Sequence, residues 1–190
     1  MNDRVLIAGI GNVFLGDDGF GVETVRALAE HPLPDGVEVV DFGVRGVHLA
    51  YQLLDGYDTL LLVDATARGG EPGTLYLIEA DGGASTGPPG AEAPPPALDG
   101  HHMSPDAVLA LLDTLCAGTG ATPPRRTLVL GCEPAGVEEG IGLSAPVAAA
   151  VPEAVRTVLD LIHGRSHDET DRPHDETDRP RTEPTGLAAN

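Results

Sequence analysis

Val5-Leu6-Ile7-Ala8-Gly9-Ile10-Gly11-Asn12, followed by Val13-Phe14-Leu15-Gly16-Asp17-Asp18-Gly19, is the stretch on which the reading of the fold turns. Its opening residues form an apolar run without polar alternation, which predicts a strand buried on both faces, as in a parallel sheet. A helical pattern follows at once, with Val22, Val25, Leu28 and Ala29 on one face. Working outward, a second strand is predicted at 37–40, ending in Asp41-Phe42-Gly43. A short helix follows at 46–54 and a third strand at 59–63, ending in Asp64. Strands alternating with helices specify an α/β domain with a mostly parallel sheet.

Roughly nine residues separate Asp64 from the next apolar run, 74–78. A parallel crossover needs a dozen or more, so this run is expected at a sheet edge, antiparallel to the third strand. Residues 81–99, rich in Gly, Pro and Ala, read as a flexible loop. A helix is expected at 104–115, with Ser104 as N-cap and Pro105 in the first turn. A last strand is expected at 128–130, and a final helix capped by Ser144 running to about residue 163. The heptad HDETDRP then occurs twice, at 167–173 and 174–180, in a polar stretch that reads as a disordered tail. The prediction is one α/β domain over 1–164, a three-layer αβα sandwich on a five-stranded sheet, and a tail over 165–190.

Aromatic residues are 3% of the chain, so the core must be aliphatic. The net charge of −19 argues against nucleic acid and anionic membrane surfaces as partners, because phosphates would be repelled, and leaves room for a basic protein partner. Cys116 and Cys132 lie in or beside apolar segments and read as buried thiols, not a disulfide framework. No basic flank with a long apolar stretch marks a signal peptide. No apolar run approaches the ~20 residues of a membrane helix. The expectation is a soluble cytoplasmic protein, with a monomer as the simplest state.

Asp18 and Asp64 each follow a strand at its carboxyl end, where open α/β sheets bind their ligands. One of Asp17 and Asp18 is expected to cap the following helix. His101 and His102 stand just before the helix at 104, and one of the two could join the aspartates. Two carboxylates and an imidazole suit nickel, zinc or manganese, or activation of water. A dinucleotide site is rejected: after Gly9 and Gly11 the third glycine position holds Phe14, and Asp17-Asp18 would repel a pyrophosphate.

These segments together resemble the nickel–iron hydrogenase maturation endopeptidases. Gly9-Ile10-Gly11-Asn12 with Leu15-Gly16-Asp17-Asp18-Gly19-Phe20-Gly21 is similar to the family's opening signature. Asp41 to Gly46, Val63-Asp64-Ala65, Pro72-Gly73-Thr74, His101 with Met103-Ser104, and Glu133-Pro134 with Gly140 to Ser144 follow in register. The resemblance implies removal of a C-terminal extension from the hydrogenase large-subunit precursor after nickel insertion, by an aspartic-type endopeptidase. It implies that Asp18, Asp64 and His101 form the catalytic and metal-binding set, with nickel supplied by the substrate and no intrinsic cofactor. His101 is chosen over His102 because its spacing to the helix fits the family better. Val44-Arg45 departs from the family's usual loop, which points to an effect of Arg45 on substrate choice. A non-catalytic nickel- or precursor-binding chaperone is the competing reading.

Overall fold

The computed structural model describes residues 3–80 and 104–168. His101, His102, the 81–99 loop and the tail from residue 169 lie outside the described residues.

The chain runs β1 (Val5–Ile10), a 3-10 turn (Gly16–Gly19), α1 (Phe20–Leu28), β2 (Val37–Gly43), α2 (Gly46–Gln52), a 3-10 turn (Leu53–Asp55), β3 (Thr59–Ala65), β4 (Leu75–Ala80), α3 (Pro105–Thr119), β5 (Arg126–Cys132) and α4 (Ala145–Asp168). The five strands form one sheet in the order β2-β1-β3-β5-β4. The first four in that order are parallel, with Ile7 opposite Val39 and Leu61, and Leu61 opposite Leu128. α4 continues to Asp168, past the expected end near 163.

Alternation along the strands explains the unbroken apolar runs. Val5, Ile7, Leu61, Val63, Leu128 and Leu130 face α1 and α4. Leu6, Ala8, Leu60, Leu62 and Val129 face α2 and α3. Both sets are buried, so the middle positions of the central strands must be apolar. The core is aliphatic as expected, and both cysteines are free and buried. Asp64 continues the alternation of Leu60 and Leu62, so its side chain leaves β3 on the α2–α3 side.

β4 is antiparallel and at the edge, but its partner is β5, with Leu77 opposite Leu130; the expected pairing with β3 is corrected. The reason lies in burial. β5 is buried from Thr127 to Cys132 and needs a neighbour on each side, whereas β4 exposes Leu77 and Glu79 and suits an edge. The connection crosses the end of β5, where the Thr66 N–H donates to the Cys132 carbonyl (2.8 Å) and the Gly73 N–H to the Glu133 carbonyl (2.8 Å). Two strand spacings are about 10 Å, well within the reach of nine residues.

The strand order also locates the crevice. From β1 the chain passes to β2 on one side and then to β3 on the other, so the order reverses between β1 and β3. Ligands of open α/β sheets bind at this reversal, outside the carboxyl ends of the strands.

Candidate active site

The loop after β1 brings Asp18 to that crevice. Gly11 has φ 128°, and a Cβ there would stand 1.9 Å from the Asp18 carbonyl oxygen, so only glycine permits the chain to fold back this tightly. The Asn12 N–H donates to Asp18 Oδ2 at 2.7 Å, and the Phe14 N–H donates to Asn12 Oδ1 at 3.0 Å. Asp18 is half-buried and sits in the 3-10 turn that leads into α1.

Asp64 ends the apolar part of β3 and is 9% exposed. Burial, then the neighbouring charge of Asp18, push its pKa up to about 7, against a weaker opposing hydrogen bond from the Ala65 N–H. The structure therefore brings Asp18 and Asp64 within electrostatic reach of each other. A cation between them would relieve both the repulsion and the desolvation, so this carboxylate pair fits a metal ion. Among the described residues there is no cluster of three or more metal-ligating side chains. His101 lies outside those residues, ahead of Ser104, whose hydroxyl caps α3 by accepting the Ala107 N–H at 3.4 Å. α3 covers the face onto which Asp64 emerges.

Neither aspartate caps α1, contrary to expectation: the residue at its N-cap is Gly19, with no side-chain cap bond. Asp17 turns inward instead and is 1% exposed. Its Oδ1 accepts the Ser144 N–H at 2.6 Å, and its Oδ2 accepts the Ser144 hydroxyl at 2.8 Å and the N–H groups of Ala135 (2.7 Å) and Gly136 (3.3 Å). Burial opposes the Asp17 charge, but these donors outweigh it and hold the pKa below the ordinary value. The carboxylate thus ties the loop between β5 and α4 to the Asp18 turn.

Glu133 does the same for the loop after Asp64. It is 5% exposed and accepts the N–H groups of Arg68 (2.8 Å) and Gly69 (3.1 Å) and the Tyr76 hydroxyl (3.0 Å). The Arg68 bond leads in lowering its pKa. Sequence reasoning gave neither Asp17 nor Glu133 this anchoring role; the available signal was an acid at the end of a buried strand or beside another acid. The Arg45 guanidinium bonds the carbonyls of Asp41 and Phe42, bracing its own loop.

Comparison with known proteins gives a consistent result. The family model for hydrogenase maturation proteases of the HycI type matches residues 22–87. The hydrogenase expression/formation protein HupD of Rhizobium leguminosarum bv. viciae is 34% identical over 172 residues, 90% of this chain and 79% of that protein. The hydrogenase 2 maturation protease of Escherichia coli is 34% identical over 160 residues, 82% of this chain and 88% of that protein. Among solved structures, the hydrogenase maturating endopeptidase HybD from E. coli superimposes with a TM-score of 0.65 at 31% identity, covering 85% of this chain and 93% of that one. With one sheet topology, one crevice and relatives matched over most of their length, this chain belongs to the hydrogenase maturation protease family.

Proposed function

We propose that this protein hydrolyses one peptide bond in the large-subunit precursor of a nickel–iron hydrogenase, releasing the C-terminal extension after nickel insertion. The observation that carries the proposal is the Asp18–Asp64 pair at the switch point, with Asp64 pushed up to about 7. Nickel enters as part of the substrate; Asp18, Asp64 and His101 would hold it, and its charge would polarise the adjacent peptide carbonyl. The raised pKa of Asp64 belongs to the nickel-free protein; bound nickel would offset burial and the Asp18 charge and leave Asp64 ionised, able to act as general base. Asp64 takes a proton from water as the water oxygen bonds to the carbonyl carbon. The C–N bond then breaks, and the proton passes to the departing amine. Asp18 is held in place beside Asp64 by the Asn12 N–H. This chemistry is aspartic-type, needs no resident cofactor, and works in a monomer in the cytoplasm.

Mass spectrometry of nickel-loaded and nickel-free precursor after incubation with the protein tests this reading. A C-terminal peptide should leave the loaded form alone, and Asp18→Asn should abolish the loss with an unchanged circular dichroism spectrum. Equal shortening of both forms would sink nickel recognition. Nickel-dependent binding without shortening would favour the chaperone reading.

A further inference from the structure

Two loops beside Asp18 carry apolar side chains in water. Phe14 is 64% exposed, Val137 51% and Ile141 84%. These loops are not loosely held. The Gly16 N–H donates to the Gly140 carbonyl and the Gly140 N–H to the Phe14 carbonyl, both at 2.9 Å, while Asp17 binds the second loop through four donors. Apolar side chains fixed outward on a braced backbone mark a contact surface. An open groove of about 320 Å³ meets this surface at Ile141 and is lined by Val13, Gly16, Gly19, Ile141, Gly142 and Leu143. Gly142, exposed in that lining, leaves its backbone bare, which suits an extended main chain.

The charge around the groove selects the occupant. Glu23 lines it, and Glu138 and Glu139 are exposed on the loop that carries Ile141. Arg26 pairs with Glu23 and with Asp41, both at 3.1 Å, and offsets part of this charge; the exposed Glu138 and Glu139 supply the rest. A second copy of the chain would bring the same net charge of −19 and be repelled.

We propose that the Phe14–Val137–Ile141 lip and its groove bind an extended segment of the substrate polypeptide that presents apolar side chains next to basic ones. This rests on the protease reading and adds where, beyond the aspartate pair, the substrate is held.

The test is calorimetric binding of hydrogenase large-subunit precursor to the full chain carrying Asp18→Asn, which separates docking from cleavage. Adding Ile141→Asp should weaken binding at least tenfold, with melting unchanged because the side chain is in solvent. Leu77→Ser, at an exposed position on β4, should leave binding as it was. Wild-type docking should weaken as salt rises. Undiminished binding of the Ile141→Asp chain would overturn the proposal, and binding that strengthens with salt would overturn the basic assignment. A precursor that binds through Ile141 but is never shortened by the wild-type chain would overturn the protease reading and leave the docking surface standing.

Discussion

At the scale of single residues, three buried acids have three environments. Asp17 and Glu133 each meet several donors and are held ionised. Asp64 meets burial and the charge of Asp18, and its pKa rises to about 7. A raised carboxyl pKa means that the folded state binds the proton more tightly, so stability from Asp64 is full below the unfolded value near 3.8 and is lost as pH rises to about 7. The shift of about three units corresponds to roughly 4 kcal/mol. In chelator, urea unfolding should therefore show stability falling between pH 4 and 7, and Asp64→Asn should flatten that fall. A wild-type slope that survives Asp64→Asn would disprove the assignment. Asp64 was legible in the sequence because the apolar run of β3 stops at a charge. The anchoring role of Asp17 was not, because its donors lie 118 to 127 residues away.

At the scale of elements, the approach of α1 to the sheet positions the site. Gly21 packs so closely that a Cβ would stand 2.1 Å from the Val63 carbonyl oxygen and 2.3 Å from that of Ile10. Both obstacles are backbone and cannot rotate away. Gly21→Ala must push α1 off β1 and β3, at a cost of about 3 kcal/mol, or roughly 6–12 °C in Tm. Because Val63 precedes Asp64, the same displacement should lower precursor cleavage at temperatures where the variant is still folded. A normal melting curve would show that α1 can yield. The elements themselves were readable from apolar period and cap chemistry, as with Ser104 and Pro105 at the start of α3. The partner of β4 was not, since a nine-residue connection reaches either β3 or, across one strand, β5.

At the scale of the whole molecule, acidity dominates. Like charges repel in the compact state, and salt screens them. Raising salt from about 20 mM to about 200 mM at pH 8 should raise Tm by a few degrees; a fall would mean that the surface ion pairs of Arg26, Arg125 and Arg126 outweigh the net repulsion. No helix among the described residues is long and apolar enough to cross a membrane. By itself the sequence determined the α/β class, the mostly parallel sheet, the aliphatic core and the aspartates that follow β1 and end β3, because all of these follow from local apolar period and from charge placed after a buried strand. Only the tertiary structure decided the strand order β2-β1-β3-β5-β4, the nearness of Asp18 to Asp64, and the clamp from Asp17 to Ser144. Those depend on which buried strand finds a neighbour on each side, and packing between residues far apart in the chain is what settles that.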